Sequence, residues 1–179
     1  MVKITWMIGG PQGSGVDTSA TVFGNALARA GYYIDGNREY HSNIEGRHSY
    51  FNLTISDKPM HSISDDVNIL VTFEAESIFQ HFREVHDYLI YNKAVESTKL
   101  AAINSIERET AEDIEKFLES IKVTPTVEGV LDYLRSKGVK LVPVEYDKIL
   151  ASVADEMKLS VATISRSRNI IAAAVSLKL

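Results

Sequence analysis

"GGPQGSGVDTSA", residues 9–20, lies between the apolar run "VKITWMI" of residues 2–8 and the helix-like "TVFGNALARAG" of residues 21–31. A glycine-rich turn that joins an opening strand to a first helix marks the start of an α/β unit. It also sets a chemical question. Backbone N–H groups in such a turn, with the positive end of the following helix, form a ready cradle for a phosphate. Glycine's freedom at positive φ equally serves a tight connection that binds nothing. Both readings stand on these residues alone.

Outward from the turn, strand and helix patterns alternate. Residues 3–9 read as a buried strand, 18–30 as a helix closed by Gly31, and "YYID" (32–35) as a short second strand. "HSYFNLTIS" (48–56), rich in β-branched and aromatic residues, ends at the turn "DKP" and reads as a third. "VNILVTF" (67–73) and "YLIYN" (88–92) are two more, bracketing the helical "EAESIFQHFREV" (74–85). Helices follow at 109–120 and 126–138, a last strand at 139–146, then "DKILASVADEMK" (147–158) and a terminal helix at 163–179. This order predicts an α/β fold: a Rossmann-like three-layer sandwich with a mainly parallel sheet and helices on both faces. Open sheets of that kind bind ligands at the carboxyl ends of their strands, where the first turn lies.

Composition bounds the function. With 179 residues, 45% hydrophobic and 24% charged, the chain has the make-up of one globular domain. A net charge of −5 with no basic stripe argues against nucleic-acid binding. With no cysteine, the chain supplies neither a thiolate metal site nor a cysteine-ligated iron–sulfur cluster. No metal ligand set is expected. The first apolar run is too short to cross a bilayer and lacks the flank and cleavage site of a signal peptide, so no membrane contact and a cytoplasmic location are expected.

Known phosphate loops fit the turn only in part. A Walker A loop needs Lys and Ser/Thr after its last glycine, where this chain has Val16 and Asp17. The dinucleotide fingerprint fits at Gly13 and Gly15 but has Thr18 at its third glycine. Asp35 stands where that fold places its ribose-binding acid, and "DG" is also an ordinary turn pair. Ser14 lacks the outer glycines of a nucleophile elbow. His81 and His86 are wrongly spaced for two ligands on one helical face and read as surface or packing residues.

The densest polar stretch is "GNREYHSNIEGRHSYF", residues 36–51, with Arg38, Glu39, His41, Glu45, Arg47 and His48 between two strands. A long polar connection at a sheet's edge is either a functional loop or a solvated excursion.

The turn at 9–20 and the loop "NREYHSNIEGRHSYFNL" together resemble the start of the gamma domain of 2-oxoacid:ferredoxin oxidoreductases. More narrowly, they are similar to the archaeal-type enzymes in which that domain is fused ahead of the alpha region. The likeness continues through "VNILVTFEAESIFQHF" and returns at "SRSRNII", being weakest over 94–122. It implies that residues 1–179 are a single gamma domain, a fragment of a longer alpha polypeptide. Enzymes of this family convert a 2-oxoacid and coenzyme A to carbon dioxide and an acyl-CoA, passing electrons to ferredoxin. The resemblance places thiamine diphosphate with magnesium, and the iron–sulfur cluster, on other domains or subunits. It gives the chain the alpha region and beta subunit as partners, and ferredoxin through the complex. No catalytic residue is assigned here, and the isolated chain is expected to be inactive.

By the same resemblance, Gly9, Gly10, Gln12, Gly13, Ser14 and Gly15 occupy a turn that approaches coenzyme A, with Thr18 beginning the helix. Asp17 suits an N-cap or a hydroxyl contact. Asn37, Arg38, Glu39, Arg47 and His48 then face the active centre or form a docking surface. In "NIIAAAVSLKL" apolar residues cover more than one helical face, which suits either a partner surface or a last helix packed on its own sheet. The alternative to the oxidoreductase reading is a self-standing Rossmann-like nucleotide-binding or regulatory module.

Overall fold

β1 (Lys3–Pro11) carries Trp6, Met7 and Ile8, all buried, because it lies inside a sheet covered on both faces. The computed structural model describes residues 2–40, 48–60 and 66–179. Among the described residues, six strands form one sheet in the order β2 (Tyr33–Tyr40), β3 (His48–Ser56), β1, β4 (Val67–Thr72), β5 (Val85–Asn92) and β6 (Lys140–Val144). β1, β4, β5 and β6 pair in parallel. β3 is antiparallel to both β1 and β2. Only seven residues, 41–47, separate β2 from β3 in sequence, too few for the crossover that parallel pairing needs, so the two pair as consecutive antiparallel strands.

The helices are α1 (Val16–Arg29), α2 (Ala75–His81), α3 (Arg108–Ser120), α4 (Val127–Ser136), α5 (Tyr146–Met157), α6 (Val161–Ile164) and α7 (Arg168–Ser176). Strand alternation sends Trp6, Ile8, Val71 and Ile90 to one face, against Phe23 of α1 and Ala172 of α7. Met7, Leu70 and Leu89 go to the other, against Phe79 of α2, Leu118 of α3 and Val130 of α4. These are the three layers the alternation predicts. Trp6 ties the sheet to the first of the two helical layers: its ring stacks on Phe23 at 4.4 Å, and its Nε1 donates to Ser176 Oγ at 2.9 Å.

The expected helix 74–85 ends at His81 because β5 takes over from Val85, and two further elements differ more. The second strand runs to Tyr40 because Asn37 and Arg38 pair with Asn52 and Phe51 of β3, and an edge strand tolerates exposed polar side chains. Asp35, opposite Thr54, belongs to this strand. The terminal helix is broken: Ser160 accepts a hydrogen bond from Thr163 N to start α6, residues 165–167 tighten into a 3₁₀ turn, and α7 begins afresh. Ala172 and Ala173 of α7 are buried on the chain's own sheet, whereas Ile170 and Leu177 are exposed. No helix among the described residues is long and apolar enough to cross a membrane.

Candidate functional site

At the carboxyl end of β1 the chain turns sharply, with Ser14 N donating to Pro11 O at 2.9 Å. Gly13 and Gly15 hold φ values of 89° and 93°, the left-handed region where a side chain is strained. Gly15 is the N-cap of α1 and offers no side-chain cap. The amino end of the helix is left to its neighbours. Helix α1 therefore starts at Val16, two residues before Thr18, because the left-handed Gly15 ends the turn.

Asp17 departs from the expected N-cap as well. It lies in the first turn of α1, where its charge suits the helix dipole, and its Oδ2 meets Arg38 Nη2 at 2.6 Å. Arg38 thereby ties β2 to the glycine turn. The pair is half-exposed, so its value is a fixed geometry rather than much stability.

Gly13, Ser14, Gly15 and Thr18 line a hollow of about 600 Å³ together with Ser167, Asn169 and Ile170. Asn169, on the first turn of α7, is only 6% exposed. Its Oδ1 has no hydrogen-bond partner, and neither has Ser14 Oγ. Its Nδ2 lies 1.9 Å from where a Cβ on Gly15 would sit, so α7 reaches the turn only because residue 15 is glycine. The glycine turn, a helix amino end and the unpartnered Asn169 Oδ1 thus border one space. A helix amino end suits an anionic group and an amide oxygen suits an N–H donor, so the set fits a ligand that bears both.

Gly9 and Gly10 serve differently from the rest of the turn. They are strand residues of β1, where a Cβ on Gly9 would lie 2.7 Å from Ser77 Oγ and one on Gly10 would lie 2.8 Å from Ser14 Oγ. Their smallness lets α2 and the turn close on β1. Gln12 is half-buried in the turn itself.

The expected polar loop is shorter than its sequence suggests. Asn37 is exposed in β2, and Glu39 is in the same strand opposite Tyr50, its side chain outside the description. Arg47, with His41, Glu45 and the rest of 41–47, lies outside the described residues. His48 is not at a loop surface: it sits in β3 opposite Pro11 and is 3% exposed, because this end of the strand is covered by α2. His81 is buried against it, and His86 is on the surface.

Asn169 and Ser167 were not found among the candidate site residues. Only "SRSRNII" hinted at them, since a distant helix start brought against a glycine leaves no local pattern. No group of three or more metal-binding side chains placed to hold an ion occurs among the described residues.

Comparison with known proteins bears on this architecture. The chain is 56% identical over 179 residues to the 2-oxoacid:ferredoxin oxidoreductase subunit alpha of Saccharolobus solfataricus, matching 99% of this chain and 28% of that one. It is 54% identical to 2-oxoacid:ferredoxin oxidoreductase 1, subunit alpha, of Sulfurisphaera tokodaii, with the same coverage. The chain thus spans little more than a quarter of the length of these relatives. Among solved structures, the 2-oxoglutarate:ferredoxin oxidoreductase from Magnetococcus marinus, with 2-oxoglutarate, coenzyme A and succinyl-CoA bound, aligns at TM-score 0.49 and 13% identity over 81% of this chain and 34% of that one. The family model for pyruvate ferredoxin/flavodoxin oxidoreductase matches residues 5–179, from the first core strand through the turn, the hollow and α7. With that match running over every element that builds the site, the chain belongs to the pyruvate ferredoxin/flavodoxin oxidoreductase family.

Proposed function

We propose that this chain is the gamma-type domain of a cytoplasmic 2-oxoacid:ferredoxin oxidoreductase, part of a longer alpha polypeptide, and that its glycine turn contacts coenzyme A. The observation that carries the reading is the hollow at the uncapped start of α1, which α7 borders with the buried, unpartnered amide oxygen of Asn169. A phosphate or pantetheine amide of coenzyme A suits the N–H groups of Gly13 and Gly15, that of Ser14 being held by Pro11 O. The carbonyl of Asn169 offers an acceptor to the same ligand once it is seated. Thr18, exposed at the rim, adds a hydroxyl.

The chain's share in the reaction is to bind and orient. Thiamine diphosphate, which supplies the carbanion chemistry of decarboxylation, and the iron–sulfur cluster belong to other parts of the assembly. The residues present do not fit a cysteine-ligated cluster, since the chain has no cysteine. Arg38, Glu39 and Arg47, beside Asn37, are assigned to docking on the alpha region, and ferredoxin is reached through the complex. In the assembled enzyme, Asn169→Ala should raise the KM for coenzyme A about tenfold, the loss of one contact of about 1.4 kcal/mol. An unchanged KM would remove coenzyme A from this turn.

A further inference from the structure

On the opposite face of the sheet, directly behind Gly9, two buried histidines meet. His48 Nε2 and His81 Nε2 are 2.9 Å apart. Each ring turns its other nitrogen to a carboxylate: His48 Nδ1 is 3.4 Å from Glu74 Oε1, and His81 Nδ1 is 3.1 Å from Glu84 Oε2. Ser77 Oγ also approaches His48 Nδ1, but it donates its one hydrogen to Glu74 Oε1 at 3.2 Å. Each Nδ1 faces a carboxylate oxygen, which only an N–H can satisfy. If both Nδ1 atoms are protonated, two neutral rings would oppose bare Nε2 lone pairs at hydrogen-bond distance. A third proton between them relieves that opposition.

We propose that His48 and His81 share one extra proton, taken from solvent, as a buried cationic pair, and that this pair positions the end of β1 from which the glycine turn springs. The groups that face it are Glu74 just before α2, Glu76 and Ser77 on α2, Glu84 just after it, and Tyr50 of β3, whose ring stands edge-on to His81 at 4.7 Å. Burial holds the Glu76 carboxyl above its ordinary range, with His48 pulling the other way. The link to β1 is steric: a Cβ on Gly9 would lie 3.2 Å from His48 Cε1, so the ring rests on the Gly9 backbone. When the third proton leaves, the two Nε2 lone pairs repel and that support shifts. The consequence for ligand binding rests on the coenzyme A reading; the shared proton does not.

The test is solution NMR of the ligand-free 179-residue chain with ¹⁵N-labelled histidine and backbone, titrated from about pH 5 to about pH 8. Expected are protonated Nδ1 atoms on both rings throughout, a bridging Nε2 proton far downfield at the acid end, and its loss on titration together with shifts in the Gly9 and Gly10 amides. His81→Gln should abolish the bridging resonance and the amide response; if that variant does not fold, the unsubstituted chain's titration still decides. An unprotonated His48 Nδ1 below neutral pH would overturn the shared proton. Gly9 and Gly10 amides that stay still while the proton leaves would overturn the positioning role. Either result leaves coenzyme A binding to be judged separately.

Discussion

Gly13 and Gly15 share a left-handed backbone and differ in what surrounds them. A Cβ on Gly13 meets nothing within 4 Å, whereas one on Gly15 strikes Asn169 Nδ2. Gly13→Ala should therefore cost only its backbone strain, about 1 kcal/mol, and Gly15→Ala that strain plus the displacement of Asn169. Chemical denaturation of Gly15→Ala, Asn169→Ala and the double variant should reveal a coupling of about 1 kcal/mol, because the second substitution removes the obstacle. Additive losses would mean that α7 does not press on the turn. Tyr146 offers the opposite sign. Its hydroxyl is buried without a partner and burial pushes its phenol well above the ordinary value, so Tyr146→Phe should raise thermal stability, by about 1 kcal/mol. A lower melting temperature would contradict this. At this scale the turn was legible, since glycine spacing is local, and Asn169 was not, because its role depends on where a distant helix lands.

Elements were read best where their pattern is internal. The third strand is found at His48–Ser56 as expected, its β-branched and aromatic run bounded by a turn signal. β2 was underestimated because its outer half is polar and becomes a strand only by pairing with β3. The terminal segment was overestimated because its apolar residues continue across a break at the 165–167 turn, where Ser165 Oγ donates back to Ala162 O. α2 carries the titratable prediction. Glu76 is buried, accepts hydrogen bonds from Ser105 and from Gln80, and has its pKa raised, first by desolvation. A raised carboxyl pKa favours the protonated form in the fold, so the stability it contributes is present below the ordinary carboxylate range and is lost as pH rises through the folded value. Glu76→Gln keeps an acceptor without the charge. Its melting temperature relative to the unsubstituted chain should climb with pH across that range. A difference independent of pH would show that the buried carboxylate is fully compensated.

For the molecule as a whole, the three-layer α/β plan followed from alternation alone, while the assembly it serves did not, because the chain spans only 28% of its relatives' length. Arg47→Ala separates two roles for the polar segment between β2 and β3. Docking predicts loss of assembly by size-exclusion chromatography; an active-centre role predicts an intact complex with a raised 2-oxoacid requirement. Coenzyme A contact at the turn is tested most directly by a structure of the assembled oxidoreductase with coenzyme A bound. Expected is a phosphate or pantetheine amide within hydrogen-bond distance of the N–H groups of Gly13 or Gly15, with Asn169 facing it. Coenzyme A seated away from Gly13, with this hollow closed by protein, would contradict it.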